Sequence, residues 1–300
     1  MTTPPAEAVG VEKQRGLGAT AVAPAKINLY LKVLGRRSDG YHELDTVMAK
    51  LDLADRLWVD VSSGHREDRL ELTNSPGDLP DDFSGSGNLI LKAVAAFRRQ
   101  TRWPDKPVAV RLEKNIPLGA GMGGGSSDCA AILSLLNKSA PQPLSRSELE
   151  GLGLSLGADV PFFLQPAPLA RAGGVGEKFS EPPSGYESWL GRGLTLVNPG
   201  IKLPTALVFK NWDLTNPSAN TNLGPISPPQ SGENDLLAAV GQLVPAITEI
   251  IGLIEGLKPS AWGLSGSGPT FWFSRSGRMA EELSGRYPQW WFREAKILTQ

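Results

Sequence analysis

The chain has 300 residues, 40% of them apolar, which suits one large domain or two ordinary ones with a true core. Its net charge of −1 argues against a broad basic face for nucleic acid, and one cysteine and two histidines exclude an internal disulfide, a multi-cysteine zinc site and a histidine-rich metal centre. No apolar run approaches the roughly 18 residues that span a bilayer, and residues 1–20 lack the apolar centre of a secretion signal, so a cytoplasmic protein without a membrane partner is expected.

Residues 1–22 read as a loose tail, with order expected from Ala23-Pro24. Ile27, Leu29, Leu31 and Val33 then alternate with Asn28, Tyr30 and Lys32, the period of a half-buried strand. That alternation sets Lys26 and Asn28 on one face, opposite the core. Gly35–Gly40 is turn-like, Tyr41 and His42 follow it, and a second extended stretch runs from Val47 to Val61. A polar loop continues to about Ser86, with His65 expected in solvent. Apolar spacing predicts a helix over 88–99, and alternation through Val108, Val110 and Leu112 predicts a strand ending near Lys114.

In 126–137, Cys129, Ile132, Leu133 and Leu136 recur at i, i+3, i+4 and i+7, the stripe of an amphipathic helix. Ser126 or Ser127 suits its N-cap, and Pro141 lies beyond its end. The proline- and glycine-rich stretch Gln165–Gly185 is the expected boundary, giving domains at 23–165 and 166–300. After a proline-rich loop at 216–232, a helix bent at Pro245 is expected over 234–257. Two strands around a glycine turn, a helix near Met279–Leu283 and a last element over 290–297 complete the chain, with Trp262, Trp272, Trp290 and Trp291 as core or interface residues. Strands interleaved with helices make a mixed α and β protein.

The strongest local signal is the run Pro117, Leu118, Gly119, Ala120, Gly121, Met122, Gly123, Gly124, Gly125, Ser126, Ser127 and Asp128. Glycines lack Cβ atoms, so such a loop turns sharply and lets backbone N–H groups approach a ligand. Set between a strand and a helix N-terminus, it is a phosphate cradle. A flexible linker is the plain alternative. Asp128 would repel phosphate unless it points away or meets a cation. Gly119, Gly121 and Gly124 also fit G-x-G-x-x-G, but Pro117 intervenes after the strand, and the nearest downstream acid, Glu148, lies late for a dinucleotide site. The Walker A ending G-K-[ST] is absent.

Pro24-Ala-Lys-Ile-Asn-Leu-Tyr-Leu31, the loop 117–127 and Gly263-Leu-Ser-Gly-Ser-Gly-Pro269 together resemble, in order and separation, the three motifs of the GHMP kinases. Asp39-Gly-Tyr-His-Glu43 and Leu156-Gly-Ala-Asp-Val-Pro161 resemble the branch that acts on diphosphocytidyl-methylerythritol. The likeness runs from about residue 23 to 297. It implies an α+β, two-domain GHMP kinase fold, its N-terminal domain ribosomal-protein-S5-domain-2-like and its C-terminal domain ferredoxin-like. It also implies an ATP-dependent small-molecule kinase of the non-mevalonate isoprenoid pathway that phosphorylates the substrate's 2-hydroxyl. Mg²⁺ is expected with ATP, its ligands unassigned, with Ser127 or another loop oxygen within reach; monomer and homodimer both stay open.

The resemblance also assigns roles. Asp159 becomes the base for the alcohol proton, although alone it reads as a helix cap. Lys26, otherwise a solvated strand end, becomes its catalytic partner, a cation that orients the hydroxyl and offsets phosphoryl charge. Asn28 would reach the substrate or Asp159. Tyr41 and His42 would read cytosine by stacking and hydrogen bonding, where composition alone makes them turn and surface residues. Thr205 and Phe209 align with a substrate-contacting threonine and a second stacking aromatic, with a core position as the alternative for Phe209. Asn88 and Lys114 match positions near adenine and its phosphates, against plainer readings as a helix N-cap and an exposed strand end. The Gly263–Gly268 turn is expected to pack on the phosphate loop.

Overall fold

Two long strands, β1 (Ala19–Arg36) and β2 (His42–Asp60), pair antiparallel along almost their whole length in the computed structural model, which describes residues 18–61, 66–76, 80–216, 233–274 and 277–300. Most of the expected tail, His65 and nearly all of the proline-rich loop fall outside the described residues. β1 begins at Ala19, ahead of the expected start, because Ala19–Pro24 pair with Ala54–Val59 of β2. Register shifts interrupt β1 after Pro24, Asn28 and Val33. Each bulge adds an unpaired residue and re-aims the side chains beyond it. Ile27 and Leu29 accordingly pack in one cluster, Leu31 and Val33 in another. Both faces of β1 are thereby covered, so Lys26, Asn28 and Tyr30 are buried rather than facing solvent as the alternation suggested.

The chain continues through β3 (Arg69–Asn74), α1 (Leu89–Thr101), β4 (Ala109–Glu113), α2 (Gly124–Ser139), α3 (Arg146–Leu156), α4 (Val160–Leu164), β5 (Leu169–Gly174) and β6 (Lys178–Ser180). The first sheet runs β3-β4-β2-β5-β6, with β1 on the opposite edge of β2. β4 and β5 share one edge of β2, pairing its 56–60 and 44–49 portions. β5 and β6 lie past the boundary expected at 165 and belong to the first sheet. The proline- and glycine-rich stretch, where composition suggested a linker, thus contains strands of that sheet and the turns between them. α1 and α2 cover this sheet with a shared core of Phe97, Ile132, Leu133 and Leu136 under Leu57 and Leu112.

The second sheet comprises β7 (Gly193–Asn198), β8 (Trp262–Leu264), β9 (Phe271–Phe273) and β10 (Trp291–Lys296), in the order β10-β7-β9-β8. Between β7 and β8 come α5 (Thr205–Thr215), α6 (Leu237–Leu243) and α7 (Ala246–Gly256), and α8 (Met279–Arg286) precedes β10. This is the βαββαβ plan of a ferredoxin-like domain. The helix expected to bend at Pro245 is split there into α6 and α7, since proline has no N–H to continue the ladder. Trp272, fully buried, fastens the two sheets: its indole N–H donates to the Asn28 carbonyl at 2.9 Å. A further join comes from the Leu298 N–H, which donates to the Lys50 carbonyl.

Candidate active site

β4 delivers the chain to Lys114, and the glycine run then turns back to start α2. That helix begins at Gly124 with Gly123 as its N-cap at φ 67°, not at a serine cap. The left-handed glycine reverses the chain early, so Gly124, Gly125 and Ser126 form the first turn, whose N–H groups have no partners within the helix. Gly121, at φ +73°, meets the third motif so closely that a Cβ would lie 2.3 Å from the Ser265 carbonyl oxygen. The Ser265 hydroxyl donates to the Gly121 carbonyl at 2.9 Å, and Asn234 donates to the carbonyls of Leu264 and Gly266, holding the turn against the loop.

These pieces wall a cleft of about 420 Å³ that also takes in Lys26, Asn28, Asp159, Thr205, Phe209 and Ser267. Lys26 enters from β1, its ammonium donating to Asn28 Oδ1 at 2.7 Å and lying 3.9 Å from the Asp159 carboxylate. Asn28 Nδ2 donates in turn to Thr46 Oγ1 at 2.8 Å, which orients the amide so that its oxygen faces Lys26. Burial pulls the Lys26 pKa below its usual value, while the charge of Asp159 works the other way. Asp159 stands at the N-cap position of α4 without a side-chain capping bond, and its side chain is 37% exposed on the cleft. Thr205 opens α5 and shares a 2.9 Å hydrogen bond with Ser267.

Among curated proteins, the 4-diphosphocytidyl-2-C-methyl-D-erythritol kinase of Desulfotalea psychrophila is 39% identical over 264 residues, covering 85% of each chain. That of Chelativorans sp. is 37% identical over 91% of this chain and 94% of its own. The chain belongs to the 4-diphosphocytidyl-2-C-methyl-D-erythritol kinase family. It is therefore a small-molecule kinase, and residues 88–166 match the GHMP kinases N terminal domain. A solved 4-(cytidine 5'-diphospho)-2C-methyl-D-erythritol kinase superposes with a TM-score of 0.71 at 31% identity, covering 92% of this chain and 99% of the other. Mevalonate kinase from Methanococcus jannaschii shares the fold at 14% identity and a TM-score of 0.61.

In this member of the 4-diphosphocytidyl-2-C-methyl-D-erythritol kinase family, several expected residues lie away from the cleft wall or are already engaged. Lys114 lines the cleft but is no exposed strand end: its buried ammonium donates to Asp55 and to Asp128 Oδ2, the latter at 2.8 Å. Burial opposes its charge, yet Asp128 and Asp55 outweigh it and hold the Lys114 pKa above its usual value. Asp128, the acid that threatened to repel phosphate, is thus paired with a cation; its own pKa is pushed up by burial. Asp55 also accepts the N–H groups of Asn115 and Ile116, tying down the approach to the loop. The Met122 side chain belongs to the core, while its carbonyl accepts the Lys26 N–H at 3.0 Å. Ser127 turns from the cleft toward a second cavity, so of the two serines only Ser126 lies on the cleft wall.

Asn88 is the N-cap of α1, its Oδ1 accepting the Ile90 N–H and its Nδ2 donating to the Phe83 carbonyl. His42 stacks on Phe209 with ring centres 4.6 Å apart, and its Nε2 bonds Asp213 Oδ1 at 2.7 Å. Tyr41 is 64% exposed beside them. Asp213 was not singled out from the sequence. It lies one helical turn after Phe209 in α5, an i, i+4 relation that is legible once the helix is known. Thr46, Asp55 and Asn234 carried no local signal, whereas Ser267 sits inside the third motif.

Proposed function

We propose that this kinase transfers the γ-phosphoryl group of ATP to the 2-hydroxyl of 4-diphosphocytidyl-2-C-methyl-D-erythritol, giving the 2-phosphate and ADP. The observation that carries this reading is the Lys26–Asp159 pair, 3.9 Å apart on a cleft whose other wall is the glycine loop. Asp159 accepts the hydroxyl proton as the alcohol oxygen attacks phosphorus. Lys26, aimed by Asn28, offsets the negative charge on the transferring group. First-turn N–H groups of Gly124, Gly125 and Ser126 hold the phosphates at the positive end of α2. Tyr41, the His42–Phe209 stack and Thr205 hold the cytidine end, the first three by flat aromatic faces.

Mg²⁺ carried with ATP takes oxygen ligands and keeps several waters. The Ser126 hydroxyl is a hard oxygen donor on the cleft wall that would fit such an ion alongside the phosphates, which leaves Asp159 free as the base. No group of three or more acidic, histidine or cysteine side chains among the described residues is placed to hold a metal alone. When bound, such an ion would supply charge neutralisation on the phosphates.

The test is Asp159→Asn incubated with ATP, Mg²⁺ and the diphosphocytidyl alcohol, followed by phosphorus NMR for the new ester. Turnover should vanish while nucleotide binding, measured by calorimetry, persists. Near-normal turnover in that variant would remove Asp159 from the chemistry.

A further inference from the structure

A second cavity, also about 420 Å³, lies behind the glycine loop between the start of β1, the middle of β2, α2 and α4. Val22, Pro24, Ala131, Leu135, Phe163 and Leu164 make its walls apolar. Two polar groups that the proposed reaction leaves unused also line it. Ser127 is 1% exposed, and its hydroxyl has no hydrogen-bond partner among the described residues. Lys50 is 6% exposed, donates to the Gln165 carbonyl and stands 5.3 Å from the Phe162 ring centre. Burial, with no charged partner among the described residues to offset it, pulls its pKa down to about 8. An unpaired buried cation and an unsatisfied buried hydroxyl both cost stability. At the rim Lys138 adds an exposed cation, while Asp52 is engaged by the Lys296 N–H.

We propose that this cavity binds a small amphipathic organic anion, a phosphate or carboxylate on a hydrocarbon body, and that its occupancy is felt at the glycine loop. The anionic end meets the Lys50 ammonium and the Ser127 hydroxyl, and the hydrocarbon fills the space against Ala131, Leu135 and Phe163. Coupling has two physical routes. Ser126 and Ser127 are successive residues of the first turn of α2, one opening on the cleft and the other on the cavity. Phe163 lines the cavity and packs its ring against Gly123, so closely that a Cβ there would sit 2.9 Å from the ring and 3.2 Å from the stem of Lys26. Ligand binding stands apart from the proposed reaction, whereas the coupling rests on the glycine loop holding ATP.

The test uses the full chain with its cleft filled by a non-hydrolysable ATP analogue and the diphosphocytidyl alcohol. Octyl phosphate, octanoate, octanol and inorganic phosphate are titrated by calorimetry. Octyl phosphate or octanoate should bind once per chain, about tenfold tighter than octanol, as a charge-assisted contact implies; inorganic phosphate should give no heat. The two charged probes tell a phosphate-selective end from a carboxylate-selective one. Ala131→Trp fills the space and should abolish binding. Lys50→Met keeps the packing volume, and should erase the preference for charged probes over octanol. Absence of binding by both charged probes at millimolar concentration overturns the site, as does unchanged binding in Ala131→Trp or an unaltered charge preference in Lys50→Met. With the analogue omitted, saturating anion should shift the KM for ATP about fivefold in the wild type; an unmoved KM overturns the coupling.

Discussion

Gly121→Ala should cost far more than its one methyl group suggests. Gly121 has φ +73°, and a Cβ there would lie 2.3 Å from the Ser265 carbonyl oxygen and 2.8 Å from that of Gly268. Both are backbone atoms, so no side chain can swing aside. The left-handed backbone costs an L-residue about 1 kcal/mol. Forcing the turn away from the loop breaks the bond from the Ser265 hydroxyl to the Gly121 carbonyl, about 1 kcal/mol, and the enforced repacking adds roughly 1–3 kcal/mol. The expected loss is about 3–5 kcal/mol, with a raised KM for ATP because the loop shifts. Gly119→Ala is the matched control. Its φ is +61°, but a Cβ would meet nothing within 4 Å, so only the backbone cost of about 1 kcal/mol applies. Urea denaturation followed by tryptophan fluorescence measures both. Equal stabilities for the two variants, or a weaker Gly119→Ala, would refute the steric account.

Lys114→Met strands two carboxylates in the interior and should cost about 3–5 kcal/mol in urea denaturation, partly recovered by adding Asp128→Asn. Lys50 has a folded-state pKa of about 8, below its unfolded value, so its contribution to stability is present above the unfolded pKa and lost as pH falls through 8. Lys50→Met should therefore remove up to about 3 kcal/mol of the wild type's gain in stability between pH 8 and 10, read as the difference between two urea series. Asp213→Asn weakens the hold on the His42 ring, and steady-state kinetics should show the KM for the diphosphocytidyl alcohol raised about tenfold with kcat nearly kept.

The reactive elements were legible because each is a short contiguous pattern. A glycine cluster between strand and helix marks a tight loop from local backbone freedom alone, and an alternating strand carries Lys26 and Asn28 two residues apart. The helix 126–137 was readable from its stripe, and its true start at Gly124 was hidden by the pull of two serines toward the cap position. Ser145 and Glu148 form a capping box that marks the start of α3, a signal carried by the sequence itself. The short strands β3, β5 and β6 were missed because a few polar or glycine-rich residues acquire strand geometry only from a neighbour's unpaired edge. For the same reason the expected boundary at 165 fell inside the first sheet.

The sequence by itself carried the motifs through which the chain resembles its family: a bare-backbone loop, a lysine on a strand, an aspartate ahead of a proline. Tertiary structure decided which of those groups are free to act. Lys114 reads like Lys26 as a cation near the loop, yet packing encloses it between Asp55, 59 positions away, and Asp128. Ser126 and Ser127 are the same residue type side by side, but rotation about the α2 axis points one at the cleft and the other at a separate cavity. Charge compensation and direction depend on neighbours brought from distant parts of the chain, and no local pattern encodes them.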